Sequence, residues 1–158
     1  MMDIGSMTVT TPGDREIVMT RLFEAPRSVV FKAWTHPEHV AQWWDPSGTP
    51  LSRCEIDLRP KGTFRWVHAG SAAHEFSGTY LEITAPERLV FTVAMFPKRP
   101  APLATLLFTE FGARTRLTMT IACASTADRD ALLQMRVDEG TSLTLRNLAE
   151  YLKHADLS

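Results

Sequence analysis

A chain of 158 residues fits one domain, and 44% apolar residues suffice for a buried core. Its formal net charge of -1, from 17 basic and 18 acidic residues without a basic block, argues against nucleic acid as a partner. No apolar run approaches the roughly 18 residues of a membrane span, and no secretory leader pattern opens the chain. The two cysteines, Cys54 and Cys123, are too few and too far apart for a zinc site, so reduced thiols in a cytoplasmic protein are expected.

Residues 1–13 are polar and small, which predicts a flexible N-terminal tail; a single domain is expected over 14–155. Residues 15–24 read as a strand in which Ile17 and Met19 alternate with Val18 and Thr20, so neither face is strongly polar. Ala25-Pro26 changes the period. Proline suits the first turn of a helix, and Val29, Val30, Ala33 and Trp34 then mark an apolar helical face. Thr35 and Glu38 have capping-box spacing for a second short helix, which ends near Trp43-Trp44-Asp45-Pro46. The indoles there read as packing pieces.

From Leu51 the chain becomes a strand meander. Cys54, Ile56 and Leu58 alternate with Arg53, Glu55 and Asp57, and Pro60-Lys61-Gly62 makes a turn. Phe64, Trp66 and His68 follow on one face, Ala69-Gly70-Ser71 turns again, and 74–83 and 88–96 are strands around Ala85-Pro86-Glu87. The three prolines of 97–102 exclude a central strand. Residues 103–111 and 114–122 form a hairpin at Gly112-Ala113, where Leu117, Met119 and Ile121 alternate with Arg116, Thr118 and Thr120.

Residues 125–154 predict one amphipathic helix of about 40 Å. Ser125 is its N-cap, with Asp128 in the capping-box position. Leu133, Val137, Thr141, Leu145, Leu148 and Leu152 fall on one face. Gly140 inside the helix costs about 1 kcal/mol, which close approach to another backbone or to a ligand would offset. The fold class is therefore α+β: an antiparallel sheet whose apolar face only the long helix can cover. A curved sheet bends away from a straight helix, and the gap between them could take a small apolar molecule.

Several residue groups resemble the activator of heat-shock-protein-90 ATPase homologue family. They are Ala25-Pro26, Trp34-Thr35-His36-Pro37-Glu38, Trp43-Trp44-Asp45-Pro46, Asp57-Leu58-Arg59-Pro60-Lys61-Gly62-Thr63-Phe64, Gly78-Thr79-Tyr80-Leu81-Glu82-Ile83, Pro86-Glu87-Arg88-Leu89 and Glu139-Gly140-Thr141 with the following leucines. Their order and spacing carry the resemblance over 15–153. It implies the START-like (SRPBCC, Bet v 1-like) superfamily and its helix-grip fold. Lys61 stands where the family usually has glycine, His36 where aspartate is common, and Thr141 where tryptophan is frequent. The last departure would enlarge the space beneath the helix or make it more polar.

The candidate pocket lining is Trp66, Phe76, Tyr80, Phe91, Phe108 and Met119 from the sheet with Leu133, Val137 and Thr141 from the helix; against it stands simple core filling. His68 and His74, near Glu75, could act as bases or bind a metal, but flank a surface turn. Glu55 and Asp57 share a solvated strand face, and Arg136 and Glu139 lie beside the helical stripe. No nucleophile–base motif, phosphate loop or metal pattern occurs, so no catalytic residue, metal or cofactor is assigned.

Three functions are then open. The first is a binding domain for a small hydrophobic or aromatic molecule. The second is a cyclase- or hydrolase-type enzyme using one of Glu55, Asp57, His68, Glu82 or Arg136. The third, implied by the resemblance, is a chaperone-activating module. Against it, the eukaryotic activators carry a further N-terminal domain, for which the about 14 residues before the first strand are too few. An unpaired edge strand could support a homodimer.

Overall fold

The computed structural model describes residues 2–4 (as backbone), 7–69, 75–96 and 98–157. Among them nine strands form one antiparallel sheet: β1 (Met2–Ile4), β2 (Met7–Thr10), β3 (Glu16–Phe23), β4 (Arg53–Ile56), β5 (Thr63–Val67), β6 (Glu75–Thr84), β7 (Arg88–Thr92), β8 (Leu103–Phe111) and β9 (Arg114–Ala122). Their order in space is β1-β2-β3-β9-β8-β7-β6-β5-β4. Helices α1 (Arg27–Thr35) and α2 (Pro37–Trp43) fall between β3 and β4, while α3 (Thr126–Gln134) and α4 (Val137–His154) end the chain. This is the α+β helix-grip architecture expected from the sequence.

Strand alternation sorts the side chains. Ile17, Met19 and Phe23 of β3, Leu117 and Met119 of β9, Ala104, Leu106 and Phe108 of β8, Leu89 and Phe91 of β7, and Phe64 and Trp66 of β5 are all buried. Leu145 and Leu148 of α4 join the same core. Close packing of the meander depends on Gly78, where a Cβ would lie 1.8 Å from the Thr92 carbonyl oxygen and 2.9 Å from the Phe64 ring. The β6–β7 register slips between Tyr80 and Glu82, the kind of irregularity that bends a sheet.

Four expectations need correction. Residues 7–10 are not a tail: β2 pairs with β3 from Met7↔Arg21 to Thr10↔Val18, and Met7 and Val9 are buried. Met7-Thr8-Val9-Thr10 alternates apolar with polar over only four residues, too short a run to announce a strand whose stability comes from its neighbour. Thr35 does not cap α2. Its hydroxyl donates to the Phe31 carbonyl one turn back at 2.9 Å, while His36 occupies the cap position and turns its Nδ1 to the Lys32 carbonyl at 3.1 Å instead of capping α2.

The terminal helix is two helices. Ser125 does cap α3, accepting the Asp128 N–H at 3.1 Å. The Asp128 carboxylate, however, turns to Arg99 at 2.5 Å. Arg136 then adopts left-handed backbone (φ 60, ψ 41) and breaks the helix before α4 begins. The break changes the phase between the halves, so Leu132 is buried and Leu133 only half-buried. Gly140 consequently sits in the first turn of α4 rather than mid-helix, and a Cβ there would meet nothing within 4 Å. No close backbone approach explains it. Of the residues singled out from sequence, Gly70, Ser71, His74 and Pro97 lie outside the described set.

Two outcomes follow from this packing. Deleting residues 1–12 is expected to lower stability in urea unfolding by about 3 kcal/mol or more, from the lost burial of Met7 and Val9; an unchanged midpoint would mean that β2 contributes nothing. Gly140→Ala is expected to leave stability unchanged or raise it by up to about 1 kcal/mol, as read by thermal unfolding.

Candidate functional site: a two-chambered cavity between helix and sheet

Where α4 begins and the sheet curves away, the core is incompletely filled. An apolar recess of about 60 Å³ lies there, lined by Met19, Met119, Ile121, Ala104, Phe91 and Phe76 of the sheet. Trp34, Trp44, Leu132, Val137 and Thr141 close it from the helical side, and Val93, Met95 and Pro102 from the connection between β7 and β8. A wider vestibule of about 530 Å³ adjoins it, with His68, Glu75, Arg136, Gly140 and Thr144 in its walls. Trp44, Phe76, Met95, Val137 and Thr141 border both chambers and so form the waist between them.

The waist is held by its own contacts. The Trp44 ring packs 4.7 Å from Trp66 and 4.6 Å from Phe76. Two side chains of α4 fix the segment that carries it: Thr144 Oγ1 donates to the Trp44 carbonyl at 3.0 Å and Asn147 Nδ2 to the Asp45 carbonyl at 2.9 Å. His39 Nδ1 and the Tyr151 hydroxyl, 2.6 Å apart, join α2 to α4 further along. On the opposite side the Arg99–Asp128 pair, with Asp128 buried, ties the loop after β7 to the start of α3.

His68 of the vestibule wall is hydrogen-bonded from behind. His68 Nδ1 lies 3.1 Å from Asp45 Oδ2, and both side chains are largely shielded. Burial alone would raise the Asp45 carboxyl. Hydrogen bonds from the Ser47 N–H, His68 and the Ser47 hydroxyl outweigh it and hold the group below its ordinary value. Cys54 offers no nucleophile at neutral pH, since burial first, and the charges of Glu38 and Glu55 next, push its thiol up to about 12. Among the described residues no group of three metal-ligating side chains converges.

Of the nine residues expected to line a pocket, the fold brings five to the recess: Phe76, Phe91, Met119, Val137 and Thr141. Trp66, Tyr80 and Phe108 fill the core instead, and Leu133 packs against its margin. Burial pushes the Tyr80 phenol well up, and the Trp66 indole N–H is left without a partner among the described residues. Glu55 and Asp57 face solvent, Asp57 bound to Arg59, and Glu82 pairs with Arg88. Arg136 is exposed and pairs with Glu139 at 3.6 Å, yet it borders the vestibule. His68, expected at a surface turn, is instead half-shielded beside Asp45. Trp34, Trp44, Met19, Met95 and Leu132 were missed. Trp34 and Trp44 read as packing because an indole gives the same signal in a core and in a cavity wall. Leu132 was hidden by the unsignalled helix break.

Asp45→Asn removes the charge that His68 and Ser47 stabilise. A carboxyl lowered on folding stabilises the fold above its unfolded value near pH 4, and that contribution is lost as pH falls through the lowered folded value. The variant is thus expected to lose about 1–2 kcal/mol at pH 7 and to converge with wild type in acid. Urea unfolding at both pH values reads this, and parallel curves would refute it.

A comparison with the curated proteins finds no match. Among solved structures the chain is similar to protein NE0264 from Nitrosomonas europaea, at 28% identity over 90% of this chain and 97% of that one, with a TM-score of 0.79. It also resembles a protein from Rhodobacter sphaeroides (20% identity, 95% and 99% covered, TM-score 0.84) and CalU16 from Micromonospora echinospora (22%, 94% and 84%, TM-score 0.65). Those two likenesses speak to the fold alone. The family model described as activator of Hsp90 ATPase homolog 1-like protein matches residues 24–153, a span that takes in α1, every cavity-lining residue but Met19, and nearly all of α4. On that match the chain belongs to the activator of Hsp90 ATPase homolog 1-like family.

Proposed function

We propose that this START-like domain binds a small amphipathic molecule, its apolar or aromatic end in the recess and its polar end in the vestibule. The observation that carries this reading is the continuity of the two chambers through one waist of shared residues. Size constrains the guest. A cavity of about 150 Å³ holds one benzene ring, so a recess of about 60 Å³ admits only the tip of a ligand unless the waist opens. The rest must lie in the vestibule, whose wall mixes aromatic carbon with His68, Arg136 and Thr144. The buried Trp34 indole N–H has no acceptor among the described residues. A guest oxygen within its reach would remove the cost of leaving that donor unpaired.

The His68–Asp45 pair favours a second reading, in which the bound molecule is also turned over, with the imidazole exchanging a proton with it. Incubating wild type with any ligand found, followed by mass spectrometry of the small molecule, separates the two: an unchanged ligand leaves binding alone.

Thr141→Trp places an indole across the waist. It is expected to abolish the thermal shifts and native-mass adducts that a library of small amphipathic aromatics produces with wild type, a loss of about tenfold or more in affinity, while the variant stays folded. A wild-type protein that shows neither adduct nor shift across the library would overturn the binding reading.

A further inference from the structure

The other end of α4 presents a different chemistry. Arg21 occupies the helix-covered face of β3, in step with the buried Ile17, Met19 and Phe23. Its neighbours across the sheet are Met7 on β2 and Leu117 on β9, both buried. An arginine pointing inward between two apolar side chains calls for a partner. The Arg21 guanidinium lies 5.3 Å from the Phe23 ring, which accounts for one of its faces. Its Nε is buried and makes no hydrogen bond among the described residues.

The charged group nearest in effect is another cation. Arg146 of α4 borders the same cleft, of about 300 Å³, as do Lys153 two turns further on, Glu24 and Glu150. Neither carboxylate is spent on the two arginines: Glu150 pairs with Lys153 at 3.0 Å, and Glu24 with Arg114 at 3.1 Å. Burial, and then the Arg146 charge, lower the Arg21 guanidinium from its ordinary value. Two guanidiniums sharing one cleft, with neither ion-paired to a carboxylate among the described residues, repel each other. A bound anion would turn that repulsion into two attractions, and the guanidinium fork matches the oxygens of a phosphate or a carboxylate.

We propose that the cleft between β3 and the C-terminal half of α4 is a binding site for a small oxyanion, held by Arg21 and Arg146. The site lies apart from the two-chambered cavity, shares no lining residue with it, and stands or falls independently of the ligand proposed there.

Thermal unfolding and calorimetry of the full chain, titrated with inorganic phosphate or with citrate against sodium chloride at matched ionic strength, test this. One or both anions should raise Tm beyond the chloride control, and which one does so identifies phosphate or carboxylate as the preferred group. Arg146→Gln, at an exposed position, should weaken the response at least about tenfold. Arg21→Met should abolish it and, with the half-buried cation gone, raise Tm in anion-free buffer. Equal responses to phosphate, citrate and chloride would overturn the proposal, as would an undiminished response in Arg146→Gln, which remains decisive if Arg21→Met does not fold.

Discussion

The structure depends on one apolar contact: the burial of Leu145 and Leu148 of α4 against the concave face of a sheet that bends. Each fully buried leucine contributes about 1.5–3 kcal/mol, and α1 completes the cover by packing Phe31 edge-on to Phe108 of β8. The contact also sets the limit of the packing. A straight helix touches a curved sheet along part of its length only, so the space at its first turns stays open unless large side chains fill it. At 137 and 141 the chain offers Val and Thr, and Gly140 adds nothing. The cavity is thus what remains when helix, sheet curvature and small residues coincide.

Polar clasps then fix the rim. Thr144 and Asn147 hold the Trp44–Asp45 segment against α4, His68 holds Asp45 from β5's end, and Arg99 holds Asp128 across the opening. Each clasp joins elements distant in the chain, and each satisfies groups that would otherwise be stranded near the core. The left-handed Arg136 belongs to the same design: with the helix broken there, Leu132 of α3 and Val137 and Thr141 of α4 all line the recess.

The two ends of α4 divide the chemistry. Its first half faces aromatic and aliphatic carbon with a polar mouth, and its second half brings cations over an inward arginine. One amphipathic helix serves both because the residues beside its apolar stripe differ along its length.

Much of this was legible in the residues themselves. Period-two alternation located β3 to β9, and three- and four-residue spacing located α1 and the terminal helical region, because those periods report which side of an element is buried; α2 was placed by a Thr35–Glu38 capping box that the fold does not form. Family resemblance and the α+β class were readable for the same reason: motif order records the order of elements. What only the tertiary structure decided is what depends on partners remote in sequence. Residues 7–10 are a strand because β3 is beside them. The helix breaks at Arg136, where no glycine or proline announces it. Trp44 lines a cavity while Trp43 is wholly buried. Arg21 meets Arg146 across 125 positions because β3 lies beneath α4. A side chain's own chemistry fixes what it can do, but which groups it meets is settled by how distant segments pack.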